Sequence, residues 1–117
     1  MREEILAYCG RIVRISQRAG ALIVNVNAQR SWGDVPDEIW IPMSTLKNGT
    51  PRGGTAGRRF IEEMFQRKLR RNEVPDVQRL LGLRVVWRWR SYREHPEKDY
   101  CVGWRLAEEV ELLAVTQ

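Results

Sequence analysis

The segment at residues 83–93, Leu-Arg-Val-Val-Trp-Arg-Trp-Arg-Ser-Tyr-Arg, constrains the fold of this chain more than any other. It alternates with a period of two, as a β-strand must, because successive side chains of a strand point to opposite faces of the sheet. The apolar face consists of Leu83, Val85, Trp87 and Trp89. The opposite face consists of Arg84, Val86, Arg88, Arg90 and Tyr92. We therefore expect a buried sheet face that is backed by a row of arginines with an aromatic ring at its end.

Three antiparallel strands are predicted in the first half of the chain. Val13 and Ile15 form the apolar face of the first, and a hairpin turn that contains Gly20 leads into the second, because glycine accepts the positive φ that such turns need. A loop is expected at residues 28–36. Because Pro42 lacks a backbone donor, the third strand is expected to lie or end at the edge of the sheet. These predicted strands span residues 11–16, 21–27 and 38–43.

The middle of the chain separates these strands from two more. Four glycines and one proline at residues 47–57 predict a flexible basic loop. An amphipathic helix is predicted at residues 58–71, followed by the strand of residues 83–93, a polar turn and a returning strand at residues 100–106. The apolar stripe of the helix consists of Phe60, Ile61, Met64, Phe65 and Leu69.

The resulting order of elements is β-β-β-α-β-β with short connections. It resembles the OB fold, a five-stranded antiparallel Greek-key barrel, here with the helix placed between the third and fourth strands. The resemblance covers nearly the whole chain but concerns the order of elements alone. It implies a mainly β fold with one central α-helix, formed as a single OB-like domain over residues 1–117. An SH3-like barrel or an α+β roll fits less well, because both make less use of a long helix in that place.

Positive charge is concentrated in the middle of the chain. The formal net charge is +5, yet residues 47–93 hold thirteen basic and four acidic side chains, whereas residues 94–117 hold two basic and six acidic ones. Such a distribution attracts anions to one side of a protein. Seventeen of the twenty basic residues are arginine, whose planar guanidinium binds phosphate and stacks on bases. A GC-rich coding sequence is the alternative reason for the excess of arginine over lysine.

Catalytic and metal-binding patterns are missing from the sequence. His95 is the only histidine, and Cys9 and Cys101 are the only cysteines, so Cys and His alone cannot complete a zinc site. Neighbouring carboxylates in the sequence diverge on a strand or a helix. The glycine-rich loop departs from a phosphate-binding P-loop, because Thr55 stands where that motif requires lysine. We therefore predict a protein that is not an enzyme, with no catalytic residues, bound metal or cofactor.

Candidate binding residues are those that the alternation places on outer faces or in loops. The ligand face of an OB barrel includes its second and third strands, whose outward set here contains Ile23, Asn25, Asn27 and Trp40. The predicted helix begins beside three arginines, where backbone N–H groups favour an anion. The complete predicted interface is Asn25, Asn27, Trp32, Trp40, Arg52, Arg58, Arg59, Arg84, Arg88, Arg90, Tyr92 and Arg105.

These residue types predict a protein that binds single-stranded nucleic acid with little sequence preference. Aromatic rings would stack on bases, while arginines neutralise phosphates. Single-stranded DNA is the first choice, and RNA is an alternative because no motif reads a 2′-OH.

A second hypothesis is a protein-interaction or structural subunit whose basic region docks an acidic partner. The apolar run at residues 110–115 leaves a homo-oligomer open. With no apolar span or leader pattern, the sequence predicts a cytoplasmic protein without membrane contact.

Overall fold

A computed structural model describes the backbone of residues 3–92 and 100–107 and the side chains of residues 6–90 and 101–107. Within these ranges five strands form one antiparallel sheet, in the order β3-β2-β1-β4-β5. One α-helix, α1 (Ala56–Phe65), and a 3₁₀ helix (Val77–Leu80) lie between β3 and β4 in the chain. The strands are β1 (Glu3–Arg18), β2 (Ala21–Arg30), β3 (Gly33–Pro42), β4 (Arg84–Tyr92) and β5 (Tyr100–Leu106).

The mainly β fold with a single helix is confirmed for the described residues, but the closure of the predicted barrel is wrong. Among these residues β3 and β5 are the two edges of an open sheet and do not pair with each other. Closing a barrel would require hydrogen bonds between them. Pro36 and Pro42 remove two donors from β3, and α1 packs against both edge strands.

The core lies between the sheet and α1. Leu22, Val24 and Val26 are fully buried on β2, as their alternation predicted. Phe60 and Ile61 of the helix stripe belong to the same buried cluster. Burial of each such side chain contributes about 1.5–3 kcal/mol to folding, so this shared cluster fixes the helix on the sheet.

A β-bulge in β1 changes which side chains face the core. The pairing of β1 with β2 shifts between Ile12 and Arg14, and Val13 is 48% exposed. The prediction that Val13 faces the core is therefore wrong, because one extra residue reverses the alternation. The bulge allows Ile12 and Ile15 both to be buried. It also places Arg11 and Arg14 on the same outer face, the face away from the core.

The hairpin of β2 and β3 is longer than predicted. Most of the expected loop at residues 28–36 is paired strand, and the turn consists of Ser31 and Trp32. The loop prediction relied on Gly33 and Pro36, which are poor residues for a central strand. An edge strand tolerates them, because its open side has no neighbouring strand that would need the backbone N–H that Pro36 lacks.

Helix α1 begins and ends earlier than predicted. Thr55 is its N-cap, and its side-chain oxygen accepts from the backbone N–H of Arg58 at 3.4 Å. The helix ends where Gln66 takes a positive φ of 58°. The Glu62 carboxylate then accepts from the backbone N–H of Leu69 at 2.8 Å, which folds the following segment back on the helix. No glycine or proline marks this end, so the sequence pattern missed it.

The glycine-rich segment after β3 contains no helix or strand up to Thr55. The backbone N–H of Leu46 donates to the carbonyl of Thr50 at 2.8 Å, and Thr50 is buried together with Pro51. The segment is therefore anchored at this point, and its flexibility stays a prediction.

Candidate nucleic-acid interface

Exposed arginines lie side by side on the outer face of β1, β4 and β5. Arg84 stands directly opposite Arg11 on the neighbouring strand, Arg88 stands opposite Gly103, and the side chains of Arg84 and Arg88 are exposed. Neighbouring strands are about 4.8 Å apart, so the backbone positions of Arg11 and Arg84 are adjacent. We call this surface the arginine face, and it consists of Arg11, Arg84, Arg88 and Arg105.

None of the salt bridges between described residues involves Arg11, Arg84 or Arg88. Like charges placed directly opposite each other on a sheet are destabilising. An anion that lies over the pair of Arg11 and Arg84 would relieve this repulsion.

Two other residues predicted to point outward are buried. Val86 is 7% exposed, because Cys9 and Ala107 pack against it in a small second apolar cluster. Ile23 is 3% exposed, and its neighbours across the adjacent strands are Ser16 and Trp40. Arg90 is half-buried. The outer face is thus partly apolar, and the alternation of strand β4 alone overstated its exposure.

Trp40 and Asn25 are brought together on β3 and β2 by an acid that the sequence analysis did not single out. Trp40 is 51% exposed, and its Nε1 donates to Oε1 of Glu38 at 2.6 Å. Asn25 Nδ2 donates to the other carboxylate oxygen at 3.3 Å. The hydrogen bond from Trp40, then that from Asn25, and more weakly the charges of Arg18 and Arg14, hold the pKa of Glu38 below its ordinary value. Glu38 and Trp40 are two residues apart on one strand, which is the signal that could have revealed this contact.

A cleft of about 270 Å³ opens between the two edge strands, and α1 contributes to its lining. The rings of Phe60 and Trp104 meet edge to face in its wall, with their centroids 4.8 Å apart. We call it the β3–β5 cleft. The lining residues used below are Trp40, Arg59, Phe60, Glu63, Gly103 and Trp104.

The arginine face and the β3–β5 cleft meet at Gly103. This residue lines the cleft and also stands opposite Arg88 in the sheet. A Cβ atom at residue 103 would lie 3.7 Å from a terminal nitrogen of Arg88, so the guanidinium extends across the glycine. Trp40 and Arg88 lie on strands that are separated by β2 and β1. Trp40 lines the cleft from β3, whereas Arg88 lies beside Gly103, which lines it from β5.

Of the three arginines at the predicted start of the helix, only Arg59 lines the β3–β5 cleft. Arg52 is exposed in the loop. Arg58 donates to the carbonyl of Pro51 at 2.6 Å and to that of Leu69 at 3.3 Å, and its Nε lies 3.5 Å from the Glu62 carboxylate. Its hydrogen bonds therefore tie the loop to the segment after the helix, and we assign Arg58 a structural role.

The remaining predicted site residues are dispersed. Trp32 is 78% exposed in the turn between β2 and β3, eight positions before Trp40 along the chain, which is roughly 26 Å in an extended strand. Asn27 is half-buried opposite Arg11. The side chain of Tyr92 lies outside the described residues. Trp32 is thus not part of the region around the cleft.

Comparisons with protein-family models, with curated proteins and with solved structures found no match for this chain. None of the helices in the described ranges has the length and apolar character needed to cross a membrane. Within the same ranges no three Cys, His, Asp or Glu side chains are grouped so that they could hold a metal ion.

The one cysteine beside the cleft is a poor nucleophile. Burial, the largest cause, raises the pKa of the Cys101 thiol to about 11, so the reactive thiolate is scarce at neutral pH. The cleft therefore presents charged and aromatic side chains, Arg59, Glu63 and Trp104 among them, rather than a reactive thiolate.

Proposed function

We propose that this protein binds single-stranded nucleic acid, with DNA as the first choice, through the arginine face and the adjoining β3–β5 cleft. The observation that carries the proposal is the exposed pair of Arg11 and Arg84 on neighbouring strands. Two cations held side by side gain most from a ligand with regularly repeated negative charges. A polynucleotide backbone is such a ligand, and its binding releases counterions.

The position of Trp40 favours a single strand over a duplex. Trp40 is half exposed and lines the cleft, and unstacked bases can pack on an exposed indole ring. The bases of a duplex are stacked inside and present only their edges. RNA stays an alternative, since nothing among the described side chains is assigned to a 2′-OH.

We also propose that the fold is an open relative of the OB barrel. In support, the N-terminal half of β1 pairs with β4 and its C-terminal half pairs with β2. The strands that would have to meet to complete a barrel are the ones that border the cleft. The cytoplasmic location stays a prediction.

The proposal is tested by comparing two exposed arginines. Arg84→Ala is expected to weaken binding of a single-stranded oligonucleotide and to reduce the slope of log affinity against log salt by about 0.7 for each phosphate that the variant no longer neutralises. Arg71→Ala is the matched control, because Arg71 is exposed after α1 and outside the arginine face. Fluorescence anisotropy between about 50 and 200 mM salt measures both. Equal behaviour of the two variants would contradict the proposal.

A protein-interaction subunit is the second candidate, favoured by a different observation. The described residues of edge strand β5 contain no proline and a single charge, Arg105, whereas β3 carries two prolines and three acids. Edge strands that lack prolines and charged side chains can pair with a strand from another chain. Co-purification of an acidic protein that survives nuclease treatment, with no affinity for oligonucleotides, would support this candidate, and a second copy of the chain would appear as a homo-oligomer.

A further inference from the structure

We infer that the β3–β5 cleft is a subsite for one nucleobase of the bound strand, with Trp40 as its stacking ring and Arg59 as the contact for the adjacent phosphate. This inference rests on the proposed function and adds a location and a stoichiometry to it. It assigns base recognition to the junction of two edge strands and a helix.

The size of the cleft limits its occupant. Its volume of about 270 Å³ lies below the roughly 300–1,000 Å³ of pockets that enclose drug-sized molecules. A cleft of this volume has room for one flat ring system. The wall formed by Phe60 and Trp104 is apolar, as the face of a base requires.

Trp40 is oriented before any ligand arrives. Its indole N–H donates to the Glu38 carboxylate, and the guanidinium carbon of Arg18 lies 5.9 Å from the centroid of its ring system. A side chain already fixed in this way loses little conformational entropy on binding. Half of its surface nevertheless stays accessible, so the ring can accept a base.

Opposite charges on one helix give the occupant a direction. Arg59 and Glu63 are one turn apart on α1, both are exposed and both line the cleft. Among the described residues, Arg59 and Glu63 do not form a salt bridge with each other, so neither charge is neutralised by such a pair. A phosphate would be attracted to Arg59 and repelled by Glu63, whereas the carboxylate can accept from an N–H on the edge of a base.

The inference is tested with two probes, a single-stranded oligonucleotide and an abasic chain of the same length. Trp40→Ala is expected to lower affinity for the oligonucleotide roughly tenfold, the loss of one stacked base, and to leave the abasic chain unaffected. Arg59→Ala is expected to weaken both probes equally, because both carry phosphates. Leu81→Ala is the control for an exposed apolar side chain outside both surfaces.

The outcomes separate the two proposals. Equal losses on both probes with Trp40→Ala, or none, would overturn the subsite while the binding function stands. Equal affinity of the unaltered protein for both probes would do the same. If neither probe binds, the proposed function fails and the subsite with it. Circular dichroism shows whether Trp40→Ala folds, and if it does not, Trp40→Phe replaces it, because this variant keeps a ring. Retained preference of Trp40→Phe for the oligonucleotide over the abasic chain would support the subsite, and loss of this preference would oppose the subsite.

Discussion

The outer face of the sheet has two halves that differ in how their charges are balanced. On β4, β5 and the N-terminal half of β1, Arg84 stands opposite Arg11, and the described salt bridges involve neither. On β2, β3 and the C-terminal half of β1, Glu38 accepts hydrogen bonds from Trp40 and Asn25 and interacts with Arg18 and Arg14. The first half carries net positive charge, and the second is close to neutral. In the proposed binding mode, the first half attracts phosphates and the second contacts rings.

The difference corrects the analogy with an OB barrel. That analogy directs attention to the second and third strands as the ligand face. In this protein these strands supply a ring and an amide, while the net positive charge lies on the other half. The two halves adjoin where β1 pairs with β2, and Arg88 of the positive half also extends across Gly103 beside the β3–β5 cleft.

The largest effect on stability is expected where β1 pairs with both β2 and β4. Gly10 is buried in β1 and stands opposite both Ala28 and Val85. A Cβ at this position would collide with the backbone carbonyl of Asn27, so Gly10→Ala should lower the free energy of unfolding by about 3 kcal/mol. Urea denaturation measures the change. Gly53→Ala is the control, because a Cβ there meets no atom within 4 Å, and an equal loss in both variants would argue against the described register.

Charge reversal compares the two halves directly. Arg84→Glu should weaken binding of a single-stranded oligonucleotide at least tenfold, since it removes a phosphate contact and adds a repulsive charge, about 1.4 kcal/mol or more. Arg14→Glu should have a smaller effect, because Arg14 lies in the half where Glu38 already offsets positive charge. Anisotropy at one fixed salt concentration measures both. A larger loss of affinity for Arg14→Glu than for Arg84→Glu would mean that the phosphates bind in the half of Glu38, which would contradict the proposal.

Removing the negative charge of Glu38 should raise the affinity for a single-stranded oligonucleotide modestly. Glu38→Gln keeps an oxygen that can accept from the indole N–H of Trp40 but removes a negative charge near the ligand. Since hydrogen bonds hold the pKa of Glu38 below its ordinary value, the carboxylate is ionised at neutral pH, and its loss should raise affinity about twofold. Isothermal titration calorimetry measures the change. Weaker binding would mean that the carboxylate itself contacts the ligand.

The smallest effect on stability is expected at Glu73, which lies outside both halves. Its carboxylate accepts from both terminal nitrogens of Arg67, at 2.9 and 2.7 Å, and from the backbone N–H of Arg70 at 2.8 Å. The side chain of Arg67, the larger cause, lowers the pKa of Glu73 to about 2. A lowered pKa in the folded state stabilises the protein above the unfolded pKa of about 4.3, and this stabilisation is lost as the pH falls towards 2.

Thermal melts of the unaltered protein and of Glu73→Gln test this linkage. The variant should melt slightly lower at pH 7, and the difference should shrink between about pH 4 and pH 2. Binding of the oligonucleotide at neutral pH should be unchanged. A difference in melting temperature that grows on acidification would contradict the assigned ion pair.

The alternation of polar and apolar residues predicted the sheet well where strands are regular. Leu22, Val24 and Val26 are buried as expected, and the returning strand has the predicted bounds. The same alternation failed at Val13, because a bulge adds a residue without any local signal in the sequence. It also failed for Val86, which Cys9 covers on the outer face from a strand far away in the chain.

The candidate site was predictable in its residue types more than in its geometry. The outward arginines of β4 and the exposed Trp40 follow from a period of two. The cleft between β3 and β5 does not, because it depends on how far the sheet curls and on where α1 packs. Arg58 shows the same limit: its position beside a helix start suggested an anion site, yet its donors bind backbone carbonyls of the protein itself.

The salt dependence of binding by the unaltered protein tests the central claim most directly. If three to five arginines of the arginine face and the cleft contact phosphates, log affinity for a single-stranded oligonucleotide should fall with log salt with a slope of about −2 to −3.5. A slope indistinguishable from zero, or no binding at about 50 mM salt, would contradict the account.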